Sequence, residues 1–435
     1  MNTSRFIRAV AFASCVSSTA AIVAACSADE GSDPREDFDS GKYTVGDSSL
    51  PGYDGGPPNE AGVVGPTCTG TCVVQLAVGG SFACALFSDG KISCWGSNLS
   101  GQLGVTGVDS SSTPIQLRGL VPIKTISAGG WHSCALTTDE RIFCWGINSS
   151  AEVGATADTK PHFDPNEVKG FPIGAKPVDV QSGSFHSCAL LTGDRVACWG
   201  YNAQGQLGTG TASGQTVSPT NSAKPSAISS LTGATSITLG GQTTCATMPS
   251  GIECLGSNIF GQLGRGSATP LVDVRSAALG SVIVGVDSFL SAQGRNFAVT
   301  RQDGRVVLWG SNGYGESGIG DAATDIYGPT LYPGLENIAS ATAGNDMTCV
   351  VTKERSVKCW GRNTSGQVGQ PSGGTITKPT LVPNLTNVYR VALSTLSFGC
   401  ALTYDGEVYC WGANESGQLG DGTTTSSSTP VKVKF

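Results

Sequence analysis

Histidine is nearly missing from this chain of 435 residues: there are three, and methionine is as rare. Catalytic motifs are missing as well. There is no Gly-x-Ser-x-Gly elbow, no His-Glu-x-x-His pair and no phosphate-binding loop. Charged residues make up only 14% and no basic run occurs, so the chain lacks the electrostatic footprint of a nucleic-acid binder. Beyond the N-terminus no apolar stretch approaches the length of a membrane span. What is abundant is glycine, 61 residues, with recurring Gly/Ser/Thr/Asn clusters. That is the profile of many short strands joined by turns.

The net charge of −7 is unevenly placed. Residues 27–66 carry nine acidic side chains against Arg35 and Lys42, a balance of −7, and Arg5 and Arg8 add +2, which leaves −2 for residues 67–435. Arg5 and Arg8 precede an apolar, small-residue stretch from Ala9 to Ala25, the pattern of a secretory signal peptide over 1–25. It ends Val23-Ala24-Ala25-Cys26, which resembles the lipobox of bacterial lipoproteins, with Val23 in place of the more usual Leu. The resemblance implies acylation of Cys26 and attachment to a membrane through a lipid anchor. Residues 26–66, rich in Asp, Gly, Ser and Pro, read as a disordered acidic linker too poor in apolar groups to offset its ordering entropy.

Internal periodicity decides the fold of the remainder. Trp-Gly-x-Asn occurs at Trp95, Trp145, Trp199, Trp309, Trp360 and Trp411, and a seventh copy has Leu255 for Trp. Each Asn leads into a Gly-Gln-Leu-Gly-like turn, as at Gly101-Gln102-Leu103-Gly104, with degenerate copies at Ala151–Gly154 and Gly315–Gly318. Four β-like runs can be counted in each unit of roughly 50 residues. In the second they are Thr113–Leu117, Lys124–Ala128, His132–Thr137 and Arg141–Gly146. The expectation is an all-β, seven-bladed β-propeller with four-stranded blades over residues 67–435. The strand Thr429-Pro430-Val431-Lys432-Val433 has no repeat after it and is expected to complete the first blade and close the ring. Closure removes the open ends that would otherwise template aggregation, and a monomer is expected.

The pattern resembles the regulator of chromosome condensation repeat family. The best copies are Gly183-Ser184-Phe185-His186-Ser187-Cys188-Ala189-Leu190 and the run from Ala401 to Gly412. The resemblance covers residues 73–435 and implies the propeller fold. Its members include exchange factors for small GTPases and a secreted inhibitor that grips β-lactamases, so it fixes no single function.

Twelve of the sixteen cysteines form pairs inside repeats: Cys84 with Cys94, Cys134 with Cys144, Cys188 with Cys198, Cys245 with Cys254, Cys349 with Cys359, and Cys400 with Cys410. With Ser88-Asp89-Gly90 as a three-residue hairpin loop, Cys84 directly faces Cys94, within disulfide reach. The fifth repeat lacks both, and its equivalents are read as Phe297 and Leu308. Zinc would need four donors converging, and each pair sits alone in its own blade. Disulfides are expected, and with them an oxidising compartment. Cys68 and Cys72 lie just before the propeller with their pairing open.

His132 and His186 share a repeat position filled elsewhere by Phe82, Thr243, Arg295, Met347 and Phe398, which makes them structural. His162 sits in a loop as a candidate contact. Glu316, Asp321 and Asp325 are the nearest approach to an acidic cluster. Variation between blades is where function would lie, and the longest connectors are Thr209–Lys224 and Ala155–Asp164. No catalytic residue, metal or cofactor is expected, and no ligand-binding residue can be named. The leading expectation is a non-enzymatic scaffold of the cell envelope, or else secreted, binding a protein or glycan partner through its loops. The alternatives are a polysaccharide-active propeller enzyme and guanine-nucleotide-exchange-factor-like activity, the latter by resemblance only.

Overall fold

The computed structural model describes residues 65–67, 70–120, 122–209, 220–266, 273–279, 290–291, 294–320 and 324–435, with 273–279 and 290–291 as backbone only. The proposed signal peptide, Cys26, Cys68, Asp321 and all of the linker before residue 65 lie outside the described residues, as do 210–219 of the longest connector.

Seven antiparallel four-stranded sheets follow one another along the chain, each with its strands in sequence order. Blade 1 runs from Val73 to Gln116 and blade 7 from Val388 to Lys432. The first strands of successive blades lie against one another, which makes them the inner strands of the ring. Second strands, such as Phe82–Phe87 and His132–Thr137, are buried almost throughout because a neighbouring blade covers each of their faces. This explains their small, apolar composition, Phe-Ala-Cys-Ala-Leu-Phe in blade 1. Fourth strands are the outer edge, exposed or half-buried along their length. Pro114, Pro165, Pro225, Pro329, Pro379 and Pro430 all fall in these edge strands, where a missing N–H leaves no ladder bond unmade.

The apolar core is divided into seven slabs, one between each pair of neighbouring blades. Each slab except the one between blades 3 and 4 takes in a fully buried tryptophan of the Trp-Gly-x-Asn motif; there Leu255 stands in. The indole N–H of each tryptophan donates to the main-chain oxygen at the Gln position of the preceding blade's turn: Trp145 to Gln102, Trp199 to Glu152, Trp309 to Gln262, Trp360 to Glu316 and Trp411 to Gln367, all at 2.7–2.9 Å. Where Leu255 has no indole N–H to offer, the Thr244 hydroxyl donates to Gln206 O at 2.8 Å. The Asn of the motif works within its own blade: Asn98 Oδ1 accepts from Leu103 N, and its amide donates to the Val105 and Val108 carbonyls.

Ring closure differs from the expectation. The strand Ser427–Lys432 pairs with Val408–Gly412 and is the outer strand of blade 7, not a part of blade 1. In the same way Thr113–Leu117 does not open the second repeat: Ser110–Gln116 closes the first blade. Each proline strand therefore belongs to the repeat before it. A repeating sequence does not mark where one unit ends, and an edge strand carries no burial signal to settle the matter. Closure comes from side-chain packing and turns. Trp95 Nε1 donates to Gln418 O at 2.9 Å, Ser394 Oγ to Gly80 O at 2.6 Å, and Gly422 N to Ser112 O at 2.8 Å. One slab holds Val73, Trp95, Phe398 and Leu419 together.

The six expected disulfides are present, each joining the second strand of a blade to its third. Cys84 is bonded to Cys94 in blade 1, Cys134 to Cys144 in blade 2 and Cys188 to Cys198 in blade 3. Cys245 is bonded to Cys254 in blade 4, Cys349 to Cys359 in blade 6 and Cys400 to Cys410 in blade 7. The two members of every pair lie directly opposite each other in the ladder, with Cα separations of 4.0–4.1 Å. They are buried, so each bridge packs into the slabs as an apolar group and offers no surface thiol. Cys72 is disulfide-bonded as well. In blade 5 the register corrects the expected equivalence by one residue: Ala298 faces Leu308, while Phe297 faces Trp309. The same shift puts Asn296, not Arg295, in the column of His132.

Candidate binding face

Loops joining strands one to two and three to four of every blade emerge on the same face. On that face one backbone hydrogen bond recurs in all seven blades. The residue before the second strand offers its carbonyl to the N–H of the x residue of Trp-Gly-x-Asn. The pairs are Ser97 to Ser81, Ile147 to Trp131, Tyr201 to Phe185, Ser257 to Gln242, Ser311 to Arg295, Arg362 to Asp346 and Ala413 to Ser397, at 2.8–3.1 Å. The backbone is thus the same around the ring while the side chains at these two positions differ; those of Ser97, Ser257 and Ala413 are buried.

Neighbouring loops also touch along this rim. Gly80 N donates to Gly130 O and Gly241 N to Gly294 O, at 3.0 and 2.8 Å. The glycines are required by close approach: a Cβ on Gly129 would lie 2.4 Å from Gly183 O.

The variable side chains sort into sectors. Blades 2 and 3 hold an aromatic sector, in which Trp131 and Phe185 lie 5.2 Å apart at 32° and Phe185 and Tyr201 6.1 Å apart. Ile147 is the fourth side chain of these two blades, half-buried like the three aromatics. Blades 4 to 6 hold an arginine sector. Arg295 lies over the Phe260 ring at 4.6 Å, and Arg362 lies over Tyr314 at 5.2 Å while pairing with Asp346 at 3.1 Å. Burial pushes the Asp346 carboxyl up, against the opposing pull of Arg362 and Arg295. In blades 7 and 1 the same positions hold Ser397 and Ser81, half-buried, and Ala413 and Ser97, buried. Exposed Leu99, Ile259 and Leu396 lie on this face too, in the loops of blades 1, 4 and 7.

The residues singled out from sequence lie elsewhere. His132 and His186 are fully buried between blades, with Nε2 2.8 Å from Ser187 Oγ and 3.0 Å from Thr244 Oγ1. Burial lowers them to about 4 and about 3, so both are neutral imidazoles locking one blade to the next. His162 Nε2 lies 3.0 Å from Asp158 Oδ1. Glu316 is a buried turn residue and Asp325 accepts from Asn312 N, so these two acids hold loop geometry. Among the described residues no group of three or more His, Cys, Asp or Glu gathers as a metal site would require.

The rim residues themselves carry no motif. They stand one position before the histidine column, in a column reading Ser, Trp, Phe, Gln, Arg, Asp, Ser around the ring, and its disorder is the signal that sequence reasoning missed.

Fold and rim together define a seven-bladed β-propeller of regulator of chromosome condensation (RCC1) repeats. Family models described as the regulator of chromosome condensation (RCC1) repeat match residues 73–102, 123–151, 178–206 and 338–367 in one form and 89–136, 194–247 and 405–435 in another. The chain is 26% identical over 368 residues to the E3 ubiquitin-protein ligase HERC2 of Homo sapiens, covering 83% of this chain but 6% of that protein. To the ultraviolet-B receptor UVR8 of Arabidopsis thaliana it is 29% identical over 270 residues, 60% of this chain and 58% of the receptor. It therefore spans only part of these relatives' length. Among solved structures it is similar to human WBSCR16, with a TM-score of 0.70 and 21% identity over 79% of this chain and 94% of that one. It is similar also to Prp20p of Saccharomyces cerevisiae, with a TM-score of 0.69 and 20% identity over 79% and 86%. At these identities the likeness is one of fold.

Proposed function

We propose that this protein is an exported, lipid-anchored binding scaffold whose rim grips a protein or glycan partner, and that its role is recognition, not catalysis. The observation that carries this reading is the rim: seven identical backbone brackets hold side chains that differ from blade to blade, sorted into an aromatic sector and an arginine sector. Aromatic and arginine side chains are also the types that dominate binding energy at interfaces. Export is supported by the six intrablade disulfides, which persist in oxidising compartments. The basic, apolar N-terminus ending in Val23-Ala24-Ala25-Cys26 supports a lipid anchor on Cys26. Prp20p is described as binding Gsp1p and histones; a nucleotide-exchange role for this chain would place a disulfide-bonded propeller in the wrong compartment.

The test is capture with the purified protein as bait, under non-reducing conditions, against envelope and medium fractions of its own organism and against a glycan array. A partner lost with Trp131→Ser or Phe185→Ser, but kept with Ile173→Ser in a connector on the opposite face, supports the rim. A partner retained by all three variants overturns it.

A further inference from the structure

The turn after each Trp-Gly-x-Asn is built around one buried polar side chain. In five blades it is glutamine, whose Oε1 accepts the main-chain N–H two residues earlier: Gln102 from Ser100, Gln206 from Gln204, Gln262 from Phe260, Gln367 from Ser365 and Gln418 from Ser416, at 2.8–3.0 Å. In blades 2 and 5 it is glutamate. Glu152 Oε2 accepts from Ser150 N at 2.7 Å and Glu316 Oε2 from Tyr314 N at 2.8 Å. Both side chains are buried, with Glu152 at 0% and Glu316 at 1% exposure. The second polar atom of this position is poorly served in five of the seven blades. The Nε2 atoms of Gln102, Gln206 and Gln367 find no partner among the described residues. The other oxygens of Glu152 and Glu316 have a long serine hydroxyl contact, Ser149 at 3.4 Å and Ser311 at 3.5 Å, and each carboxyl also meets its own main-chain N–H. A protonated carboxyl has the shape and neutrality of the glutamine it replaces. An ionised one is a buried charge met by main-chain N–H groups and one long hydroxyl contact, with no cation acting on it.

The two glutamates stand at particular joints. Glu152 O accepts the indole of Trp199, two residues before Tyr201, at the joint between the two blades of the aromatic sector. Glu316 O accepts the indole of Trp360 and the hydroxyl of Thr348, each two residues from a rim residue, Arg362 and Asp346. That joint carries the arginine sector.

We infer that Glu152 and Glu316 make the rim a proton-regulated surface: protonated, each braces the joint of one binding sector, and ionised, each loosens it. This rests on the reading of the rim as the binding face. Around Glu152, the titratable groups of the packed strands are His132 and His186, both held neutral by burial, and the connector adds the Asp158–His162 contact. None of them acts on Glu152, which burial alone pushes up to about 7, against the pull of its hydrogen bonds. Around Glu316, Asp346 and Asp325 add like charge to the effect of burial, while Arg362 and Arg295 act on Asp346.

Hydrogen exchange on the full chain, corrected for intrinsic base catalysis, tests this without any partner. In the wild type, protection at turn 149–154 is expected to fall about tenfold or more as pH rises from about 6 to 8.5, and protection at turn 313–318 to fall as pH rises past the ordinary glutamate range, while the glutamine turns 100–104 and 365–369 hold. Glu152→Gln and Glu316→Gln should each abolish the fall at their own turn, and Gln102→Glu should create one at 100–104. A flat profile in the wild type, or a fall that persists in the glutamine variants, overturns the switch. Because no partner enters the readout, that result leaves the rim's binding role to its own test.

Discussion

The indole N–H of Trp95 donates to the main-chain oxygen of Gln418, 2.9 Å away across 323 residues of sequence. It is the same bond that joins every other blade pair bearing a tryptophan, but here it binds the first blade to the last. Trp95→Phe keeps most of the packing and removes the donor, and should cost about 1 kcal/mol, with about 3 to 5 kcal/mol for Trp95→Ala. Denaturant unfolding gives the magnitude. Hydrogen exchange should show protection lost in blades 1 and 7 before the others.

Blade 4 offers a contrast. Gln102 O receives both Trp145 and the Ser133 hydroxyl, at 2.9 and 3.0 Å, whereas Gln206 O receives the Thr244 hydroxyl where the tryptophan is Leu255. Thr244 Oγ1 also meets His186 Nε2. Thr244→Val is therefore expected to cost about 2 kcal/mol and Ser133→Ala under about 1 kcal/mol, compared by denaturant midpoints. Equal losses would refute the substitution of hydroxyl for indole.

Blade 5 can be given the missing bridge. Ala298 and Leu308 face each other as the six cystine pairs do. The double substitution Ala298→Cys with Leu308→Cys should form a seventh disulfide, seen as no gain in free thiols under denaturing, non-reducing conditions. Its chain-entropy stabilisation is at most about 2.5 kcal/mol. Placing the cysteine at Phe297 instead should leave two free thiols, because Phe297 faces Trp309.

Two kinds of buried group tilt the pH dependence of stability in opposite directions. The Glu152 carboxyl sits at about 7 when folded and at an ordinary 4.5 when unfolded. Its contribution is fully present below 4.5 and is lost as pH rises through 7, on the order of 3 kcal/mol in all. Glu152→Gln should thus raise stability at pH 8 and change little at pH 4.5. His132 runs the other way: the unfolded chain takes its proton near 6.5 and the folded one only near 4, so stability falls as pH drops below 6.5. His132→Phe, the residue of blades 1 and 7 at this position, should flatten that acid limb.

If the rim binds as proposed, its sectors should separate kinetically. Trp131→Ala and Phe185→Ala should speed dissociation, each costing about 2 kcal/mol. Arg295→Gln should chiefly slow association and weaken its salt dependence. Surface plasmon resonance at two ionic strengths distinguishes the two patterns.

Much of this is legible in the residues. Six tryptophans and Leu255 at intervals of 50 to 56 residues count the blades. Cysteines nine or ten apart around a short hairpin, as at Cys245 with Cys254 and Cys400 with Cys410, give the strand register of six of them. Where those markers stop, so does the reading. In blade 5 no cysteine pins the hairpin, and the expected equivalence falls on Phe297, one residue short of Ala298. The phase of the repeat is hidden because an edge strand with its proline looks alike whichever blade it joins. The rim is hidden for a different reason. Its residues form a column without a pattern, as the buried histidine column beside it does, and only the bond from Tyr201 N to Phe185 O and its six counterparts shows that disorder in sequence sits on order in backbone.

Those seven brackets bear on how such a protein changes over generations. A substitution at Trp131, Arg295 or Ser397 alters a side chain whose backbone partner is already fixed by its neighbours, so a new specificity does not require a new fold. The ring behaves as a typeface with one interchangeable character in every blade and a second in blades 2, 3, 5 and 6: its lineage could be respelled toward a different partner one letter at a time, each intermediate still folding.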